Sequence, residues 1–221
     1  MTEKPFILTI SGGSGSGKTT LARAICERLS GVTTAILSED NYYFDRRSFP
    51  AFDENTHDFD DAAAKDLEHL AHDLTALKAG KTIDMPVYDF ATHSRTDETI
   101  QFAPTQIVVL EGIHGLVSPE IRALSDLVVY LDTPDDVRLA RRILRDMKER
   151  DRTFDFVLRQ YFTTVRKGHL RHVAPQKDHA HIVLSDSAPP PDLMRMPEGL
   201  RIDEMADAVV AELNKRRSDT V

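Results

Sequence analysis

The chain has 221 residues, with 28 Lys and Arg against 36 Asp and Glu and a formal net charge of −8. That length fits one α/β domain, and an apolar fraction of 41% suffices to fill its core. The acidic balance argues against a nucleic-acid partner, since duplex binders carry a basic footprint, and the single cysteine, Cys26, excludes an internal disulfide and a Cys-based zinc site.

The first apolar run, Phe6–Ile10, is too short for a signal-peptide core or a membrane span and reads as a buried strand. The expected location is the cytoplasm, with no membrane partner. Directly after the run, GGSGSGKT at Gly12–Thr19 satisfies G-x-x-x-x-G-K-[ST], with a strand before it and the helical pattern Thr19–Leu29 behind it. Glycines let successive backbone N–H groups turn inward onto phosphate oxygens, and the helix N-terminus adds its partial positive charge. Lys18 supplies a mobile cation for the β- and γ-phosphates, and the Thr19 hydroxyl can coordinate Mg²⁺. The expected nucleotide contacts are Gly12, Gly13, Ser14, Gly15, Ser16, Gly17, Lys18, Thr19 and Thr20. Cys26 lies inside the helical pattern and reads as core filler.

The next buried run, Thr34–Leu37, leads into LSEDNYY. Hydroxyl-phosphorylating kinases need a carboxylate to receive the acceptor proton. Spacing alone does not separate Asp40 from Glu39 in that role, and Asp40 is preferred. A helical pattern covers Asp61–Ala79. Lys81–Pro104 then breaks the strand–helix alternation, with IDMPVYDF, a turn-like ATHSRTDE and TIQFAP reading as a β-hairpin. Pro86 and Pro104 suit edge positions better than a central strand. The run Ile107–Leu110 ends at Glu111, where open α/β sheets collect the acid that holds Mg²⁺.

After a fourth run, Leu127–Leu131, the helix Pro134–Glu149 carries Arg138, Arg141, Arg142 and Arg145 on one stripe. Val137, Ala140, Leu144 and Met147 are expected to form its buried side. The stripe reads either as a solvated face relieved by Asp135, Asp136 and Asp146 or as a surface closing over phosphates. In a chain of net charge −8 the second is favoured, and Arg150 and Arg152 extend it. Then follow a helix at Phe154–His172, a strand at Ile182–Leu184, a proline-rich connection at Ser187–Gly199 and a helix at Ile202–Lys215. His169 and His172 lack companion ligands, and no metal is read there. The alternation predicts a doubly wound, five-stranded parallel sheet of the P-loop type. It forms a single domain, 1–221, with a hairpin insertion at 81–104 and a helical lid region at 134–172.

GGSGSGKT, SEDNYY, PVYDFATHSR, VVLEG and RRILRDMKER stand in the order and spacing of the uridine kinases, and from Phe6 to Leu184 the chain resembles that family. Uridine kinases belong with phosphoribulokinase among the P-loop kinases. The resemblance implies phosphorylation of the uridine or cytidine 5′-hydroxyl in pyrimidine salvage, with ATP or GTP as donor, Mg²⁺, and assembly as a homo-oligomer, a tetramer. It implies that Asp40 is the base, with Lys18 catalytic beside it. Thr19, Asp40 and Glu111 match metal positions; Arg145, Arg150 and Arg152 resemble lid residues that grip phosphates, and Arg141 is expected beside them as an ATP contact. Tyr43, Tyr88, Phe90 and His93 resemble residues of the nucleoside pocket, and Arg142, Arg152 and Gln160 further contacts there.

Two stretches depart from the family pattern. The family's ribose-binding aspartate lies in a D-H-P loop, whereas this chain reads FDENTHDFDD; Asp58 is assigned the role, with Asp53 and Asp60 as alternatives. His114 stands where many pyrimidine kinases carry an apolar residue. A kinase acting on another small alcohol or sugar phosphate would share the fold. A nucleotide-binding switch would need N-K-x-D after a late strand, and Asn214–Lys215 continues with Arg216 and Arg217 instead.

Overall fold

The computed structural model describes residues 4–54, 56–185 and 201–219. Its centre is a parallel sheet built from β1 (Phe6–Gly12), β2 (Thr34–Ser38), β5 (Ile107–Glu111), β6 (Leu127–Asp132) and β7 (Ile182–Ser185), in the order β2-β5-β1-β6-β7. β3 (Ile83–Asp89) and β4 (Ser94–Phe102) pair antiparallel as a separate two-stranded sheet, with the register shifting between Pro86 and Tyr88. All five expected parallel strands and the expected hairpin are thus present. The stretch Ser187–Gly199 lies outside the described residues.

Every residue of β5 is buried, as a central parallel strand covered on both faces requires. On one face α1 (Lys18–Arg28) and the C-terminal helix pack together around Leu8, Ile10, Ile25, Val129 and Val209, with Cys26 partly buried at the rim. On the other, α2 (Leu67–Lys78) and α3 (Pro119–Leu124) cover Ile7, Leu37, Val108 and Leu110. No helix among the described residues is long and apolar enough to cross a membrane.

The helix expected from Asp61 starts later. Asp61 caps only a 3₁₀ turn at Ala62–Ala64, accepting from Ala63 N, and α2 opens on Asp66, which accepts from His69 N. Lys65 between them is held extended by a bridge to Tyr43, and Asp66 N donates to Tyr42 O at 2.8 Å. These backbone bonds draw the segment away from helical geometry. Beyond β6, α4 (Asp135–Glu149) is followed by α5 (Phe154–Gln160), a π turn (Tyr161–Val165), α6 (Arg166–Gly168), a second π turn (His169–Val173) and a 3₁₀ stretch (Ala174–His179). The expected helix Phe154–His172 is therefore interrupted in type and continues to His179. α7 (Ile202–Ser218) closes the described chain.

Which side of α4 is buried is the opposite of the expectation. Arg138 and Arg142 are 2% and 6% exposed, whereas Leu144 and Met147 are 49% and 45% exposed. Arg138 donates from Nε to Thr133 O at 3.0 Å, and Arg142 donates to Ser14 Oγ at 2.9 Å. The oxygens of the phosphate loop and of the β6–α4 turn offer the guanidinium groups partners that an apolar face could not satisfy.

Ile10 is fully buried in the first core cluster. Ile10→Ala is expected to cost about 2–5 kcal/mol of stability, read as a lower urea midpoint at an unchanged slope.

Candidate active site

Parallel register decides where the chemistry collects. Ile10 of β1 lies beside Glu111 of β5, and Ser38 of β2 lies beside the same Glu111, so three strands end at one edge of the sheet. That edge is where an open α/β sheet exposes its ligand crevice. β1 runs directly into the phosphate loop. Gly15 adopts φ +79°, and a Cβ there would fall 2.5 Å from Arg138 O, so the tight wrap needs glycine twice over. Lys18 opens α1, is buried, and donates to Gly13 O at 3.0 Å. Burial lowers its ammonium to about 8 although Glu111 and Asp40 stand near. Ser16 Oγ is buried with no hydrogen-bond partner among the described residues. Thr20 is exposed in the first turn of α1.

Beside the loop, Thr19 Oγ1 donates to Glu111 Oε2 at 3.1 Å, and Ser38 Oγ donates to Glu111 Oε1 at 2.9 Å. Burial and the charge of Asp40 raise the Glu111 carboxyl above its ordinary range. Thr19 and Glu111, with Ser38 bonded to Glu111 and the Asp40 charge close enough to act on it, form an all-oxygen set, which suits a hard divalent cation.

Asp40 lies in the short 3₁₀ turn Glu39–Tyr42 that continues β2. Burial alone would raise its carboxyl; the ammonium of Lys65, with Lys18 and Arg150, brings it down to about 2. Its neighbour Glu39 is fully buried and points elsewhere, accepting from His114 N at 2.9 Å and from Lys65 Nζ at 2.6 Å. The two acids are therefore separated by geometry: Asp40 lines the cavity and Glu39 does not.

That cavity has a volume of about 770 Å³. The hairpin and the segment after β2 give it an aromatic wall, in which Tyr43 and Tyr88 ring centroids are 5.1 Å apart and Tyr88 and Phe90 5.2 Å. Phe59 stacks on His93 at 4.7 Å with the planes 27° apart. His93 sits at φ 52°, a left-handed conformation that costs a non-glycine residue energy and aims its ring inward from the hairpin turn. Arg152 Nη2 lies 3.1 Å from His93 Nε2. A guanidinium can only donate, so Nε2 accepts and the ring proton rests on Nδ1. Burial and Arg152 lower the His93 pKa, consistent with that neutral ring.

On the α4 side, Arg142 Nη2 donates to Gln160 Oε1 at 2.7 Å and Arg145 Nε to Asp146 Oδ1 at 2.8 Å. Arg150 lies 3.7 Å from Asp146 and 5.1 Å above the Phe90 ring. Arg141 approaches Ser16 O at 3.5 Å. Asp146, read in the sequence as relief for a solvated stripe, is 2% exposed and gathers Arg142, Arg145 and Arg150 around one carboxylate.

The structure thus brings Asp40, Tyr43, Tyr88, Phe90, His93, Arg142, Arg145, Arg150, Arg152 and Gln160 to one cavity. It does not bring Asp58 or Asp53 there. Asp58 accepts from Asp60 N at 3.0 Å, and Asp53 interacts with Thr56 Oγ1 at 3.3 Å. Of the three candidates for the ribose, the one on the cavity wall is Asp60, 7% exposed, with its carboxyl raised by burial. Asp58 accepts from the Asp60 backbone in an Asx turn, so of the assigned residue and its two alternatives it is Asp60 that faces the cavity. Sequence reasoning also missed Phe59, Ile113 and Lys65. Phe59 and Ile113 carried no pattern that separates a pocket wall from core. Lys65 had one indirect signal, since adjacent acids at a buried strand end demand a cation.

The sequence profile of the Phosphoribulokinase / Uridine kinase family matches residues 7–189. The chain belongs to this family. It is 39% identical over 186 residues to the uridine kinase of Listeria monocytogenes serotype 4a (strain HCC23), covering 84% of this chain and 89% of that one. It is 41% identical over 181 residues to the uridine kinase of Staphylococcus epidermidis (strain ATCC 35984), covering 81% and 87%. Among solved structures it resembles in fold a possible uridine kinase from Bacillus stearothermophilus, at 24% identity and TM-score 0.60 over 83% of this chain and 90% of that one. The phosphoribulokinase from Rhodobacter spheroides shares the fold at 18% identity and TM-score 0.61, over 89% and 75%.

A Cβ on Gly112 would overlap Glu39 Oε2. Gly112→Ala is expected to displace Glu39 and cost about 1–3 kcal/mol, seen as a lower thermal midpoint in a calorimetric scan.

Proposed function

We propose that the protein is a kinase that transfers the γ-phosphoryl group of ATP to the 5′-hydroxyl of uridine or cytidine, giving the nucleoside monophosphate of pyrimidine salvage. The observation that carries the reading is that Asp40 and the aromatic wall share one cavity, closed by the α4 arginines that reach the phosphate loop. Relatives named uridine kinase at 39% and 41% identity support the acceptor. Aromatic faces suit a flat pyrimidine, while His93 Nδ1–H and Gln160 offer polar contacts to its edge and to the sugar. Asp60 is the acid placed to meet the ribose hydroxyls, in the role the sequence assigned to Asp58.

In this reading the phosphate loop and Lys18 hold the β- and γ-phosphates of the donor. A carboxylate held at about 2 is ionised throughout the working pH range. Asp40 orients the 5′-hydroxyl and takes its proton as the oxygen bonds to the γ-phosphorus and the bond to the departing diphosphate breaks. Arg142, Arg145 and Arg150, drawn together by Asp146, offset charge on the transferring group. Thr19, Glu111 and Asp40 would hold Mg²⁺, which supplies charge neutralisation between the phosphates when bound. GTP fits the same backbone cradle as an alternative donor. The reading carries a cytoplasmic location and, by family resemblance, a homotetramer.

Incubation with [γ-³²P]ATP and a panel of nucleosides and sugar phosphates is expected to label uridine and cytidine, and chelation by EDTA to stop the transfer. Clear labelling of a sugar phosphate with none of either nucleoside would overturn the acceptor. Asp40→Asn is expected to keep ATP binding and lower kcat by about 10²–10⁴; near-parental turnover would remove Asp40 from the mechanism.

A further inference from the structure

Lys65 stands out as a buried cation that the mechanism above does not use. Its side chain is fully buried, and it bonds two acids at once, Glu39 Oε1 at 2.6 Å and Asp40 Oδ1 at 2.7 Å. Its Nζ also lies 4.4 Å from the centroid of the Tyr43 ring, on the pocket wall. Burying an ammonium costs several kcal/mol unless good partners surround it, so a site needing only volume would be better served by an apolar side chain.

The surroundings fix where that ammonium can sit. Its backbone is bridged to Tyr43, Phe44 N donates to Ala64 O at 3.0 Å, and Asp66 N donates to Tyr42 O at 2.8 Å. Glu39 is in turn pinned by His114 N, which lies 3.1 Å and 2.9 Å from its two carboxylate oxygens. The loop after β5 therefore anchors Glu39, Glu39 anchors Lys65, and Lys65 reaches Asp40. Among the described residues, Asp40 Oδ2 has no hydrogen-bond partner while Oδ1 is engaged. The 39% exposed Asp40 side chain opens on the cavity, so one oxygen is held from behind and the other is left for the acceptor.

We propose that Lys65 is a positioning residue for phosphoryl transfer: anchored by Glu39, its ammonium holds Asp40 by Oδ1 and aims Oδ2 at the acceptor hydroxyl. Lys65 is buried behind the cavity, outside its lining, and acts through Asp40. The inference rests on the reading of Asp40 as the proton acceptor. The same buried ammonium faces the Tyr43 ring at 4.4 Å, so the base and the pocket wall meet at one side chain.

A double-mutant cycle tests it. Lys65→Met, Asp40→Asn and the pair are compared by kcat and KM with uridine, with ATP affinity read by calorimetry and folding by thermal melting. Lys65→Met is expected to lower kcat about 10²-fold, the scale of a displaced reacting group, with ATP affinity within about 3-fold of the parent. In the Asp40→Asn background the same change is expected to lower kcat no further. Multiplying losses in the pair, or parental kcat in Lys65→Met beside a slow Asp40→Asn, overturns the positioning role while leaving Asp40 as base. Near-parental kcat in Asp40→Asn instead overturns the underlying reading, and the inference with it. If the unpaired Glu39 prevents Lys65→Met from folding, the variant carrying Glu39→Gln and Lys65→Met removes both buried charges and replaces it in the cycle. Parental kcat in that variant also overturns the inference.

Discussion

Charge taken out of water must find a partner, and that constraint organises the whole cleft of this protein. The carboxyl ends of β1, β2 and β5 converge by register, so Glu39, Asp40 and Glu111 arrive together at one buried edge. Left alone, such a cluster would repel itself. Lys18 enters from the phosphate loop and Lys65 from the segment before α2, and both ammonium groups are buried among the acids. Asp40 and Glu39 hold Lys65 protonated against its burial. The cleft is thus a set of mutually dependent charges, in which moving one side chain leaves another unpaired.

The same constraint explains α4. On sequence pattern its leucine and methionine should face the core, yet Leu144 and Met147 are exposed while Arg138 and Arg142 are buried. The core of the sheet is already filled by residues of the strands and of α1, α2, α3 and α7. What α4 packs against is the phosphate loop, a surface of backbone oxygens and small polar side chains. Guanidinium groups satisfy that surface, and the acid they share, Asp146, sits where a solvent-facing charge was expected.

Much of the fold was legible because buried parallel strands read as short apolar runs, and a phosphate loop between strand and helix has few other meanings. The hairpin was legible as a break in the alternation. The start of α2 was not, because the bridge between Tyr43 and Lys65 overrides helix-compatible residues from Ala62 to Lys65. Which of Asp53, Asp58 and Asp60 faces the cavity was not legible, since no periodicity reveals that Asp58 accepts from Asp60 N. Glu39 and Asp40 looked equivalent on spacing; Lys65 bonds both, and the His114 N–H, from a distant part of the chain, takes Glu39 while Asp40 faces the cavity.

The sequence by itself determined the phosphate loop, the five strands, the hairpin and the family, because each is written in local pattern or in motifs of fixed spacing. Tertiary structure alone decided which acid turns to the cavity, which face of α4 is buried and what holds Asp40 in place. Those outcomes depend on pairing buried charges across long sequence separations, 25 residues from Lys65 to Asp40 and 75 from His114 to Glu39. No local pattern encodes such a pairing, since the cost of an unpaired charge arises only when folding removes the water.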